Sequence, residues 1–247
     1  MLKIGGHAYN NGVCFISDNY KAKFVVQKDE TCKITSVKRI IEGNFAKKMK
    51  RIPFIRGIFM ILRDKIPALL IGIIILSDLY RILDYNFLFG QNISTLVNII
   101  FGVLTLLGAV YVVKIILLNA NKTRAFHGAE HKTIYTYDIG KELTLENVKE
   151  SPRTSNSCGT NFVIFLLPLI ILQFYIIGTY GFVFVLSFIL AYELFKLPEN
   201  LPIIRVFYSV GNWLQQNLFT SEPTDKQIIA SIGTIEKLIS LEVLKSS

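Results

Sequence analysis

The sequence predicts a mainly α, polytopic membrane protein with about four transmembrane helices, a small N-terminal cytoplasmic β unit and C-terminal amphipathic helices. Three observations carry that class. The 247 residues are 51% hydrophobic and only 18% charged, with a positive mean hydropathy, which is apolar for a soluble domain. The apolar residues are gathered into runs: Ile66 to Leu83 is broken only by Asp78 and Arg81, Ile93 to Leu118 only by Lys114, and Phe162 to Leu194 carries no charge before Glu193. Lysine and arginine are also unevenly placed around those runs. Lys47, Lys48, Lys50, Arg51, Arg56, Arg63 and Lys65 precede the first run, the turn from Asp84 to Asn92 has none, and Lys122 to Asn161 is basic again. By the positive-inside rule both termini and the long middle loop are cytoplasmic, in a bacterial cell membrane.

Taken in order, residues 1–46 form the β-rich segment. Met1 to Gly12 lacks the apolar core of a signal peptide. Gly12–Ser17, Lys21–Gln27 and Thr31–Val37 are short runs of β-branched and aromatic residues separated by turn residues. Residues 47–65 mix basic side chains with Phe54, Ile55, Ile58, Phe59 and Leu62, as an interfacial helix does. Residues 66–118 supply two spans, within which Asp78 and Arg81 are spaced for a helical ion pair. Residues 119–161 form the cytoplasmic loop. Residues 162–196 supply two further spans, short for the purpose and divided at Gly178-Thr179-Tyr180-Gly181. In residues 197–247, Pro198 and Pro202 end the fourth span, Ile203 to Phe219 is an apolar helix bearing Trp213, and Asp225 to Leu244 is an amphipathic helix capped near Thr224.

The chemistry is concentrated at Phe126-His127-Gly128-Ala129-Glu130-His131-Lys132, which holds two of the three histidines in the chain. The spacing H-x-x-E-H is the inverted zincin pattern. On a helix His127 and His131 lie about 40° apart, with Glu130 about 60° from one and about 100° from the other. One face therefore offers two imidazoles to a divalent metal, zinc foremost, and a carboxylate, Glu130, to act as catalytic base. The bland alternative is a pair of solvated interfacial histidines. Cys158 precedes a helix that Thr160 or Asn161 is suited to cap, and the positive helix end favours a thiolate there. It completes a metal site, acts as a nucleophile, or is a small residue in a tight turn. Glu193 is a reserve ligand. The β unit brings His7 and Asn11 into the neighbourhood of the motif.

The net charge of +9 lies beside the apolar runs, where membrane orientation and anionic lipid account for it, and no nucleic-acid-reading motif is visible. Three cysteines, Cys14, Cys32 and Cys158, on the predicted cytoplasmic side argue against a disulfide framework.

Ile4-Gly5-Gly6, Arg51-Ile52-Pro53-Phe54-Ile55-Arg56-Gly57, His127 through Tyr135, Leu143 through Val148, Cys158-Gly159-Thr160 and Glu222-Pro223 together resemble the bacterial YqhQ family over nearly the whole chain. The resemblance implies a membrane protein of unassigned function, described in that family as a predicted metal-dependent enzyme. Two departures stand out. His7 and Asn11 replace a glutamine and a glutamate usual in the family, and Ser155 and Ser157 stand where its loop usually has a histidine and an arginine.

These observations lead to a membrane-embedded, metal-dependent hydrolase of the zinc type, opening at the cytoplasmic interface onto an amphiphilic, lipid-linked or peptide substrate. The alternative is a non-catalytic scaffold or assembly factor in the bilayer, with a structural metal site or none. Transport ranks lowest, since few polar groups fall within the apolar runs.

Overall fold

The structure is a computed structural model that describes residues 2–27, 31–39, 48–62, 120–177 and 181–246. Its elements are β1 (Gly5–Tyr9), β2 (Gly12–Ile16), β3 (Tyr20–Val26), β4 (Cys32–Lys38), α1 (Ile55–Leu62), α2 (Ala120–Asp138), α3 (Leu145–Glu150), α4 (Gly159–Ile177), α5 (Gly181–Phe195), α6 (Pro202–Leu214), a π-helical turn (Gln215–Phe219) and α7 (Asp225–Ser246). The chain divides into two compact units. The first comprises Met1–Glu42, Ile116–Thr160 and Ser209–Ser247, the second Gly43–Ile115 and Asn161–Tyr208.

The first unit is built on an antiparallel sheet in the order β1-β2-β3-β4. Three strands lie within a residue or two of where β-branched runs place them. The fourth, β1, falls in a Gly-rich stretch that local propensity argues against. Register explains the core: Phe15 faces Gly6 on one side and Ala22 on the other, while Val13 faces Ala8 and Phe24. Because side chains alternate with period two, those residues share one face. That face is covered by α2 and α7, which contribute Phe126, Ile235 and Leu238 to a core with Ile4, Val13, Phe15, Ala22 and Phe24. Helix α7 starts with a reciprocal cap, the Thr224 N–H donating to Gln227 Oε1 at 2.9 Å and the Gln227 N–H to Thr224 Oγ1 at 3.4 Å.

The second unit has an aromatic core. Phe162 and Phe165 from α4 and Ala191 from α5 are buried with Ile204 and Tyr208, and Phe165 stacks on Phe207 with centroids 4.9 Å apart and planes 10° from parallel. Glu193 on α5 accepts hydrogen bonds from the Arg56 guanidinium and, at 2.8 Å, from the Phe54 N–H. Phe54 has φ +64°, a left-handed conformation rare for an aromatic residue.

The polytopic class is corrected. Among the described residues no helix is long and apolar enough to cross a membrane. Helix α5 has 15 residues and so a length of about 22 Å, against about 30 Å of hydrocarbon. Helix α4 has 19 residues and a proline, Pro168, inside it, and its first turn is spent on Gly159-Thr160-Asn161. What reads in sequence as two spans supplies an aromatic core instead. The other two expected spans, 66–118, with Asp78 and Arg81, lie outside the described residues. The expected orientation of the termini rests on spans that the described helices do not supply. Of the expected interfacial helix, α1 is the described part.

One clasp joins the last turns of α7 to the β2–β3 connection. Glu242 accepts from Ser17 Oγ, from the Asn19 N–H at 3.1 Å and from Asn19 Nδ2 at 2.7 Å. Partial burial raises its pKa, but these bonds and the Lys245 charge outweigh that and hold the carboxyl below the usual range. A depressed pKa contributes stability above the unfolded value and loses it as pH falls through the folded one. Glu242→Ala should therefore cost about 1 kcal/mol at neutral pH and almost nothing in acid, as urea titrations at the two pH values will show.

Candidate metal centre

Helix α2 is unusual in being buried along a polar stretch: Phe126, Gly128, Ala129, Glu130, His131, Lys132, Thr133 and Thr136 are all buried. Each hydrophilic group there needs a partner, and most find one in a backbone carbonyl or a neighbouring side chain. Thr133 Oγ1 donates to Ala129 O and pairs with Ser231 Oγ, both at 2.8 Å, and Thr136 Oγ1 meets Ser151 Oγ at 2.7 Å. Lys132 Nζ, 5% exposed, donates to Lys149 O at 2.6 Å and pairs with Glu222 at 2.9 Å, while Glu222 also meets Arg153 Nε at 3.3 Å.

The two motif histidines are oriented in the same way. His127 Nδ1 lies 3.0 Å from Phe219 O, and His131 Nδ1 lies 2.6 Å from Arg153 O. A carbonyl oxygen only accepts, so each neutral ring keeps its proton on Nδ1 and presents the Nε2 lone pair. The rings are 4.3 Å apart. Cys158 caps α4, its Sγ accepting from the Thr160 N–H at 3.5 Å, two residues before Thr160 and three before Asn161, the capping residues expected from sequence. Its Sγ also stands 3.5 Å from His127 Nε2. Ligand atoms of His127, His131 and Cys158 all lie within 4.8 Å of one another. A tetrahedral zinc bound to sulfur and nitrogen sets those two atoms about 3.6 Å apart, so the donor set fits such an ion with little adjustment.

Glu130 is 4% exposed. Burial pushes its carboxyl up to about 7, with the His127 charge pulling the other way. Its Oε2 is buried with no hydrogen-bond partner among the described residues. On the β1 side, a Cβ at Gly6 would come within 2.6 Å of Glu130 Oε1, so glycine at that position leaves room for the carboxylate. His127, Glu130, His131 and Cys158 line one cavity of about 500 Å³, together with β1 residues including Gly6 and His7.

The other candidates separate. His7 lines the cavity, its Nε2 2.9 Å from Tyr9 Oη. Ser155 and Ser157 line it too, and the Ser155 N–H donates to Gln215 Oε1 at 2.9 Å. Asn11 supports the β1–β2 turn, Nδ2 donating to Val26 O at 3.0 Å. Glu193 belongs to the second unit and is committed to Arg56. Sequence reasoning missed Gly6, the carbonyls of Phe219 and Arg153, and Gln215. Carbonyls leave no mark in residue identity. A glycine pair inside a segment of strand length was the one signal available for Gly6.

Gly128 lets the 219–223 segment reach α2. The Ser221 N–H donates to Arg124 O at 3.0 Å, and a Cβ at Gly128 would lie 2.3 Å from Ser221 O and 3.4 Å from Pro223 Cδ. Backbone cannot swing aside as a side chain does. Gly128→Ala should therefore cost roughly 1–3 kcal/mol in thermal or urea unfolding and push Phe219 O away from His127. Wild-type stability in that variant would show that the segment is not fixed there.

Residues 59–241 match the family described as "Protein of unknown function (DUF1385)", and the chain belongs to that family. The match covers the H-x-x-E-H helix and Cys158 and begins after the sheet. The chain is also similar to the "Uncharacterized protein YqhQ" of Bacillus subtilis (strain 168), at 29% identity over 171 residues, which are 64% of this chain and 53% of that protein. It thus spans about half the length of the curated relative it matches. No solved structure matches.

Proposed function

We propose that this member of the DUF1385 family is a metal-dependent hydrolase of the zinc type, with His127, His131 and Cys158 holding the ion and Glu130 as general base. One observation carries the reading. Three donor atoms of the right kinds converge within 4.8 Å on the cavity into which a buried carboxylate, unpartnered at Oε2, also faces. Three protein ligands with an open position is the catalytic pattern, whereas structural zinc sites are closed by four.

When bound there, a divalent ion supplies positive charge that acidifies water and polarises the bond to be cut. The chain does the rest. Phe219 O and Arg153 O fix the two imidazoles, so neither ring must reorient to present Nε2. The Lys132–Glu222–Arg153 chain of charges steadies the backbone that carries the second of those carbonyls. Glu130 Oε2 takes a proton from the attacking water and returns it to the leaving group as the scissile bond breaks, so the carboxylate is regenerated each cycle. With no hydrogen bond from the described residues, that oxygen is open to the water.

Metal binding and chemistry should fail separately. His127→Ala, His131→Ala and Cys158→Ser should each lower zinc affinity at least tenfold. Glu130→Gln preserves shape but not basicity, and should keep one zinc per chain while losing complementation in a host lacking its own copy. Zinc content, abundance and complementation would be measured on all four variants. Full complementation by Glu130→Gln would reduce the site to a structural metal in a scaffold, and full complementation by the histidine variants would remove the metal reading altogether.

A further inference from the structure

The β1–β2 hairpin determines which backbone groups of β1 are already used. Tyr9 and Gly12 flank the two-residue connection Asn10-Asn11 and pair directly, so they exchange both of their hydrogen bonds, and alternate pairs along the ladder do the same. Those pairs are His7 with Cys14 and Gly5 with Ile16. The register on the far side of β2 agrees, since the Val26 N–H donates to Asn11 O and the Ser17 N–H to Tyr20 O, which assigns the odd-numbered positions of β2 to β3. Gly6 and Ala8 therefore turn their N–H and C=O groups away from β2. Because β1 is an edge strand, nothing in the sheet meets them. No described hydrogen bond uses them elsewhere.

That open edge lies on the candidate metal centre. Gly6 and Ala8 line the same cavity as His127, Glu130, His131 and Cys158. A second hollow of about 370 Å³ abuts the first, sharing His131, Ile134, Asp138, Ser155 and Ser157 in its wall. The first hollow carries on its β1 wall two sets of backbone donors and acceptors spaced two residues apart, and the second extends the space past His131. Such an array recognises the main chain of another extended peptide, which alone alternates N–H and C=O at the same period. A lipid headgroup or a sugar has no such repeat.

We infer that the site acts on polypeptide, bound in extended form as a fifth strand against the β1 edge, with its scissile amide laid over the His127–His131–Cys158 face. The inference rests on the hydrolase reading and gives it a substrate class. In that reaction water adds its oxygen to the carbonyl carbon of the bound amide, the C–N bond breaks, and the amine leaves with the proton relayed by Glu130. The products are a new carboxyl terminus and a new amino terminus.

Proline offers a test. At Ala8 it removes an N–H that the hairpin does not use, and edge strands tolerate proline where the N–H faces outward. At Ser36 on β4 it does the same to the opposite edge and serves as control, since the Gln27 N–H to Thr31 O and Arg39 N–H to Asn19 O bonds assign the odd-numbered positions, Thr35 and Val37 among them, to the hydrogen bonds with β3. Fluorescein-labelled casein, an unfolded chain offering many sequences, would be titrated by anisotropy against the full-length zinc-loaded Glu130→Gln protein, alone and with Ala8→Pro or Ser36→Pro. Ala8→Pro should weaken binding about tenfold, as expected for the loss of a buried main-chain hydrogen bond, and Ser36→Pro should change it less than twofold. Hydrogen exchange at the Gly6 and Ala8 amides should slow when casein is added, a measurement that needs no proline variant to fold. Equal weakening by both prolines, or unaltered exchange at Gly6 and Ala8, overturns strand addition; absence of casein binding overturns the polypeptide class. Cleavage of casein by the unsubstituted protein is scored separately, so that binding at β1 without cleavage would refute the hydrolase and leave the edge as a peptide-binding site.

Discussion

A helix buried on its polar side is the constraint from which the first unit follows. Residues 126 to 136 of α2 place a carboxylate, an imidazole, an ammonium and two hydroxyls out of water, with the His127 ring half-buried beside them, and a buried polar group without a partner costs about 1–3 kcal/mol. The fold meets part of that demand with carbonyls from neighbouring segments. Lys149 O comes from the last turn of α3, Arg153 O from the loop after it, Phe219 O from the π-helical turn. Pi turns are rare and recur at functional sites. This one presents a carbonyl to His127, and its first residue, Gln215, grips Ser155 through both its amide oxygen and its amide nitrogen. The loop carrying Cys158 is thus tied to the same turn that orients the first histidine.

How much of this was legible differs by scale. The H-x-x-E-H spacing places two imidazoles on one helical face whatever surrounds them, and the structure puts them there because periodicity is local. The cap at Thr224 was legible for the same reason, being a bond between residues three apart. Strand β1 was not, because Gly5 and Gly6 weaken any propensity argument. It exists because the hairpin register brings Gly6 opposite Phe15 and beneath Glu130, a tertiary reason. The runs around Phe165 and Phe188 misled for a further cause. Continuous apolar sequence reports burial without saying in what, and an aromatic core between helices produces the same letters as a bilayer.

Glu130 shows why such a site needs a stable support. An unpartnered buried carboxyl oxygen opposes folding, so it persists only where the surrounding contacts are stronger. Here the sheet face supplies them: Val13, Phe15 and Ala22 are fully buried against Ile235 and Leu238, and each large apolar side chain so buried contributes about 1.5–3 kcal/mol. Gly6 sits at the join between the two tasks. Its missing side chain leaves the sheet ladder intact while leaving space for the carboxylate.

The chain carries two glutamates in opposite surroundings. Glu193 and Glu130 are the same residue type. The Arg56 guanidinium, with the Phe54 N–H in support, holds the Glu193 carboxyl below its usual range despite partial burial, and both of its oxygens are occupied. A carboxylate so held has no affinity for a proton near neutrality and no lone pair directed at anything else. Glu130 has the opposite environment: burial raises it to about 7, and Oε2 is open. Under the hydrolase proposed above, that difference is what distinguishes an ion-pair anchor from a proton carrier. Identity in sequence made both of them candidates; only the surroundings of each assign Glu193 to holding α1 against α5 and Glu130 to the cavity.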